Sequence, residues 1–388
     1  MLFRSGAGSV VRLLTSAGGL VDPKLFSGKD SILSGPAGGV VGFSRAAQAA
    51  GFERAIGIDM GGTSTDVSRF DGTFELEFET CKAGVNIVAP TLAIETVAAG
   101  GGSICWFDGV KLCVGPQSAG ADPGPACYGR RGPLAVTDLN LILGKIVPDS
   151  FPFPPDVDAA RSKLDALCDV VHQATGQTFH PIELANGLLR VANANMSQAI
   201  RSISIAKGYD PSEYVLVAFG GAASQHACSI ARELGIQQIL NHPDAGILSA
   251  LGAGMADVRR HRTVGLYRAY SEHVIRELDD LFDKMASAAQ EEIQDEGVSD
   301  ERIDVIRSLD IRYQGTDAFL PIESPAEGTY AAAFAEAHCR LYGYEQHGRD
   351  LEIVAARVEV VGRSDAKIET THSCAASRTP IQIGRAHV

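Results

Sequence analysis

The stretch Ala55-Ile56-Gly57-Ile58-Asp59-Met60-Gly61-Gly62-Thr63-Ser64-Thr65-Asp66 decides how this chain folds. Ala55 to Asp59 is a short apolar run of the buried-strand type, and Met60 to Thr63 holds the paired glycines of a turn. Ser64 to Phe70 then resumes as a strand carrying Val67 and Phe70. The turn suits an anion. Gly61 and Gly62 let the main chain bend tightly and present N–H groups, while Thr63 and Thr65, with Ser64 between them, can add hydroxyl donors. No lysine accompanies this phosphate cradle. Asp59, at the strand end, is placed to hold the water shell of Mg2+ or to take a proton from an attacking group, and Asp66 to steady the turn or assist the metal. A plain hairpin with an acidic turn has the same spacing.

Outward from the hairpin, SGPAGGVVGFSRAAQAAG from Ser34 predicts a small-residue turn, then a short Ala-rich helix stopped by Gly51. The first thirty residues show no clear period and read as the end of a preceding unit. On the other side, Asp71-Gly72 makes a tight turn before the alternating Phe74, Leu76 and Phe78. Residues 97–132 are dense in Gly and Pro, and the apolar strands on either side favour an ordered loop. Residues 156–176 predict an amphipathic helix. Residues 181–207 predict a longer one, with Pro181 in its first turn, Gly208 after its end, and Leu188, Ala192, Met196, Ala199 and Ile203 on one face.

From Tyr214 to Ser249 the pattern is strand (YVLVAF), Gly-Gly turn, helix (SQHACSIARELG), strand (IQQIL) and a helix from near Gly246. That alternation predicts an α/β fold with parallel pairing. Beyond Arg260 the chain is more charged. A polar helix over 271–297, a strand at 310–313, a helix at 330–341 and a strand at 353–361 predict a smaller βαβ-like C-terminal unit. The expected organisation is the end of a preceding region in 1–33, a main domain in 34–262 and an α+β C-terminal domain in 263–388.

A second glycine corner, Phe219-Gly220-Gly221-Ala222-Ala223-Ser224, ends a strand and opens a helix. Small residues there permit close approach of a flat base or ribose, and the helix N-terminus can face a phosphate; a simple packing turn has the same sequence. His226 just inside that helix reads as a satisfied structural histidine, with a ligand contact as the alternative. A third corner, Ala99-Gly100-Gly101-Gly102-Ser103, is followed by Ser118, Asp122 and Tyr128. It fits an anion concavity or a flexible joint equally. No GxxxxGK[ST], strand-linked GxGxxG or GxSxG is present, which weakens P-loop, Rossmann and α/β-hydrolase readings.

A chain of 388 residues with 45% hydrophobic residues can bury a large core spread over two to three domains. Its net charge of −13 repels a phosphate backbone, so nucleic-acid binding is not expected. Apolar runs are broken well short of a membrane span and no signal-peptide pattern is present, so no membrane role and a cytoplasmic location are expected. The eight cysteines show no metal-site spacing and read as reduced thiols; a nucleophilic Cys127 is the alternative. Leu2 to Ser5 and Ile383 to Val388 resemble translated sequencing adapters, so the sequence is expected to be an assembly fragment with artefactual tips.

Taken together, SGPAGGVVG (34–42), IGIDMGGTSTDVS (56–68), TVAAGGGS (96–103), VGPQSAGADPGPACYGRRGP (114–133), VTDLNLILG (136–144), VANANMSQAIR (191–201) and FGGAASQHA (219–227) resemble the hydantoinase A/5-oxoprolinase family. RYQGTD (312–317) resembles the family's C-terminal region, and the overall pattern is most similar to ATP-dependent 5-oxoprolinase. Hydantoinases and ketone carboxylases share most of these motifs. The resemblance implies an actin/sugar-kinase/Hsp70-like ATPase fold, present in part, with ATP and Mg2+ between two halves. It places Asp59, Gly61, Gly62 and Thr63 at the second phosphate loop and Gly220, Gly221 and Ala222 at the adenosine turn. The family's earlier phosphate loop has no counterpart here, nor does its hydantoinase B-like half, the expected partner. The implied activity is phosphorylation of the carbonyl oxygen of a cyclic amide, 5-oxoproline, so that water can open the ring; an oligomer is expected. A hydantoinase, a ketone carboxylase subunit and a non-catalytic actin-like nucleotide-binding module remain as alternatives.

Overall fold

The computed structural model describes residues 11–82 and 84–366, and the adapter-like tips lie outside them. The main sheet runs in the order Ile239–Leu240, Val215–Phe219, Arg54–Met60, Thr65–Asp71, Thr73–Phe74, with Glu95–Val97 also paired to Thr65–Asp71. Val215–Phe219 is parallel to both of its neighbours, as the alternation predicts, whereas Arg54–Met60 and Thr65–Asp71 form the expected antiparallel hairpin.

Side-chain alternation sets the two faces of this sheet. Ile56, Ile58, Met60, Leu216 and Ala218 enter one core with Leu188, Ala192 and Met196 of the helix Pro181–Ile203. Ala55, Val215, Val217 and Phe219 enter the other, with Val40, Phe43 and Ala47 of the helix Ser34–Ala49. Gly57 belongs to the second face because a Cβ there would lie 2.3 Å from the Phe43 ring.

The small residues after Ser34 are not the expected turn. They form the first half of the helix Ser34–Ala49, with Pro36 in its first turn, where a missing N–H removes no intrahelical bond. Their size serves a helix crossing. A Cβ on Gly38 would sit 2.5 Å from the Ser249 carbonyl oxygen, one on Gly42 2.4 Å from that of Leu248, and one on Gly252 2.0 Å from that of Gly38. The helix Leu248–Met255 therefore lies backbone to backbone on Ser34–Ala49.

The helix Val157–Thr175 starts on the Asp156 carboxylate, which accepts from the Ala159 N–H at 2.8 Å, and ends on Gly176 at φ 72°. The next helix stops at Ile203, short of the expected Lys207. A 3-10 turn, Ile205–Lys207, intervenes before Gly208 at φ 79°. The Gly/Pro-rich stretch is ordered around an unanticipated hairpin, Ser103–Phe107 with Leu112–Ser118.

The C-terminal sheet corrects the βαβ-like expectation. Val258–Ala269, Leu351–Gly362, Ile303–Tyr313 and Leu320–Glu323 are adjacent in that order and all antiparallel. Val258–Ala269 escapes sequence reading because it opens on Arg259, Arg260, His261 and Arg262. Its charges are matched across the structure, Arg259 to Glu359 at 2.5 Å and Arg260 to Glu292 and Glu296. The polar helix divides at Leu278 into Glu272–Glu277 and Asp279–Asp295. The strands Leu13–Leu14 and Leu20–Val21 extend this sheet through Leu20 and Val258, so the segment read as the end of a preceding unit is built into its edge. Among the described residues no helix is long and apolar enough to cross a membrane.

Candidate functional site

The hairpin register pairs Met60 with Thr65 and Asp59 with Asp66, which puts the two carboxylates on one face of the sheet. The connecting residues 61–64 close on a bond from the Gly61 N–H to the Ser64 carbonyl at 3.0 Å, and Gly61, Gly62 and Thr63 are exposed. The glycine triplet supports this loop from behind. The Gly101 N–H donates to the Gly61 carbonyl at 3.0 Å and the Gly102 N–H to that of Gly62 at 2.7 Å. A Cβ on Gly100 would lie 2.7 Å from the Gly62 carbonyl carbon. The triplet is therefore a close-packed platform for the loop at 61–64, neither of the two roles weighed from sequence.

Parallel pairing of Phe219 with Asp59 brings the second corner directly beside the first. Gly220 has φ 79°, and a Cβ on it would stand 2.3 Å from Asp59 Oδ1. The Ala222 N–H donates to the Met60 carbonyl at 3.0 Å and the Gly220 N–H to that of Ala245 at 2.9 Å. Those two amides are spent on the fold, so Gly220 and Ala222 offer a ligand their shape. Gly221 is exposed, with open space where a side chain would go.

Asp59 is half-buried, and the Ser249 hydroxyl donates to its Oδ2 at 3.0 Å. Burial lifts its carboxyl above the ordinary range; the Ser249 bond opposes that lift and the nearby charge of Asp66 adds to it. Asp66 accepts from the Thr96 hydroxyl at 2.7 Å. Among the described residues no group of three or more His, Cys, Asp or Glu side chains could enclose a metal. One or two carboxylates are nevertheless the usual protein share of a Mg2+ site completed by phosphate oxygens and water, and Asp59 with Asp66 fits that donor set.

Thr65 is the corrected member of the expected site. It is fully buried and its hydroxyl donates to the Ala99 carbonyl, so it joins hairpin to platform and is turned away from any ligand. Ser64 is half-buried and Thr63 exposed at the tip.

His226 is structural, as expected. It is fully buried, with Nδ1 2.7 Å from Asn193 Oδ1 and Nε2 3.0 Å from Asn140 Nδ2. An amide donor at Nε2 and an amide acceptor at Nδ1 require the neutral ring, and burial, with Lys145 adding to it, lowers its pKa to about 4. Cys127 is fully buried, and that burial, with Asp138 beside it, raises its thiol pKa, both of which speak against the nucleophile alternative. Asp138, overlooked in the sequence, is fully buried and accepts N–H bonds from Ala126 at 3.1 Å, Cys127 at 2.7 Å and Ala135 at 2.8 Å. It staples the Gly/Pro-rich loop to the helix Val136–Ile142. Ser249, also overlooked, lies 190 residues from its partner, and no local pattern announces it.

A cavity of about 550 Å3, lined by Arg69, Phe74, Tyr209, His261, Glu323 and Arg357 among others, opens between the two sheets. It borders the Asp71 end of the hairpin, away from Asp59, and the Lys207–Glu75 pair at 2.5 Å closes part of its wall.

The hydantoinase/oxoprolinase family profile matches residues 3–262. A 5-oxoprolinase of Dictyostelium discoideum is 39% identical over 387 residues, covering 93% of this chain and 31% of that one. The caprolactamase subunit alpha of Pseudomonas jessenii is 31% identical over 375 residues, covering 92% and 53%. The crystal structure of the ATP-dependent caprolactamase from the same organism superposes with a TM-score of 0.81 at 30% identity, covering 91% of this chain and 53% of that one. The chain thus spans about a third of the length of the 5-oxoprolinase it matches. With two thirds of its residues inside one family profile and its mixed α/β architecture shared with a solved relative, this chain belongs to the hydantoinase/oxoprolinase family.

Proposed function

We propose that the chain is the ATP-handling part of a cyclic amide hydrolase with an actin-like crevice, and that 5-oxoproline is the lactam. The observation that carries this is the junction of the two glycine corners, with Phe219 in register with Asp59 and Gly220 against its carboxylate. A triphosphate laid along the loop at 61–64 would have its base and ribose over Gly220, Gly221 and Ala222. The exposed tip, Gly61 to Thr63, can turn N–H groups toward phosphate oxygens, while Asp59 and Asp66, paired across the hairpin, would hold a phosphate-bound Mg2+. Mg2+ bound there would neutralise charge on the β- and γ-phosphate oxygens.

In the proposed reaction the lactam oxygen attacks the γ-phosphorus and ADP leaves. With its oxygen phosphorylated, the carbonyl carbon becomes a better electrophile; water adds to it, the ring nitrogen leaves as the amine to give an acyl phosphate, and a second water releases phosphate to leave glutamate. Positioning by the platform-backed loop carries most of the first step. The second step is assigned to a hydantoinase B-like partner, and we place the assembly in the cytoplasm. ATP hydrolysis by the intact enzyme, measured with 5-oxoproline, hydantoin and acetone in turn, tests the reading. Stimulation by 5-oxoproline supports it; stimulation by acetone alone makes the protein a ketone-activating subunit, and no stimulation by any of them makes it a nucleotide-binding module.

A further inference from the structure

Asp59 is gripped from both sides by parts of the chain remote from the hairpin. Gly220 packs against Oδ1, since a Cβ there would stand 2.3 Å from it, and the Ser249 hydroxyl donates to Oδ2 at 3.0 Å. Ser249 is itself fixed by backbone contact and not by a side-chain network. A Cβ on Gly38 would meet its carbonyl oxygen at 2.5 Å, one on Gly39 would reach its hydroxyl at 3.3 Å and the Phe219 ring at 3.0 Å, and one on Gly252 would strike the Gly38 carbonyl at 2.0 Å. Such a seam sets the depth of the Ser249 backbone against the main sheet, which brings its hydroxyl within bonding distance of Asp59 Oδ2.

We infer that Ser249 is the positioning residue of the site. Set by the glycine seam of the two helices, its hydroxyl holds the Asp59 carboxylate with its remaining lone pairs turned toward the crevice. The inference rests on the proposed role of Asp59 and adds to it the residue that orients it. The seam also gives SGPAGG at 34–39 a purpose that a turn would not: each glycine removed would lift the helix Leu248–Met255, and with it the hydroxyl, off Asp59. The geometry further links the site to the C-terminal sheet, since the strand Val258–Ala269 begins directly after that helix.

The test uses Ser249→Ala, Ser249→Thr and Asp59→Asn in the intact enzyme. Lactam-dependent ATP turnover is measured alongside Mn2+ binding to the nucleotide complex by electron paramagnetic resonance, a readout independent of turnover. Loss of an outer hydrogen bond to a metal-holding group typically weakens metal binding or activity about ten- to a hundredfold. Ser249→Ala is expected to lower kcat and weaken Mn2+ binding by that amount with little change in KM for the lactam. Ser249→Thr, which keeps the hydroxyl, is expected to recover most of both, and the urea midpoint of Ser249→Ala to stay near wild type. Wild-type kcat and Mn2+ binding in Ser249→Ala, with Asp59→Asn inactive, would overturn this inference alone. Near-normal turnover in Asp59→Asn would remove the reading on which it stands.

Discussion

Gly220→Ala would place a methyl group 2.3 Å from Asp59 Oδ1, 2.7 Å from the Met60 carbonyl oxygen and 3.0 Å from the Met60 nitrogen, at a φ of +79°. Two costs add. The left-handed backbone penalises a β-carbon by about 1–2 kcal/mol. Overpacking against main-chain atoms that cannot swing aside costs about 1–3 kcal/mol more. The expected loss of stability is therefore about 2–5 kcal/mol, read as a lowered midpoint in urea at neutral pH. Gly221→Ala is the matched control, because its Cβ would meet nothing within 4 Å, and a change below about 0.5 kcal/mol is expected there. Relief of the clash also has to move the Asp59 carboxylate, so nucleotide turnover in the intact enzyme should fall further than stability alone accounts for. Equal urea midpoints for the two variants would refute the claim that the corners touch.

Thr65→Val keeps the shape of the side chain but strands the buried Ala99 carbonyl, so a loss of about 1–3 kcal/mol in stability is expected with nucleotide affinity unchanged. A large fall in affinity in a calorimetric titration, at little cost to stability, would return Thr65 to the ligand. His226 gives a pH signature. Its folded pKa of about 4 lies below the ordinary 6.5, so below pH 6.5 the unfolded chain binds the proton first. Its stabilising contribution is complete above that pH and is lost as pH falls toward 4, about 2 kcal/mol of it between pH 7 and 5. Urea midpoints for wild type and His226→Gln at both pH values isolate this share, and the same pH dependence in the two proteins would contradict the neutral buried ring.

What the sequence made legible is what local rules govern. The hairpin at Asp59, the Asp156 and Gly176 helix ends and the buried face of Pro181–Ile203 follow from strand pattern, capping and helical period, each written within a few residues. The junction of the two corners follows from no local pattern, because it depends on parallel pairing of segments more than 150 residues apart. The misreadings have one physical origin. A glycine or a charge tells a local rule to expect a turn or a surface, yet Gly38, Gly42 and Gly252 are small because two backbones meet there. Arg259, Arg260 and Arg262 lie in a strand because Glu292, Glu296 and Glu359 face them across the fold. Thr65, Ser249 and Asp138 likewise acquire their roles only from partners supplied by tertiary structure.

Lactam-dependent ATP hydrolysis by the intact enzyme carrying Asp59→Ala bears on all of this most directly. The variant is expected to fold with a near-native urea midpoint and to show no ADP release above background when 5-oxoproline is added. Turnover close to that of the unaltered enzyme would mean that the acidic bend beside Gly220 is structural alone.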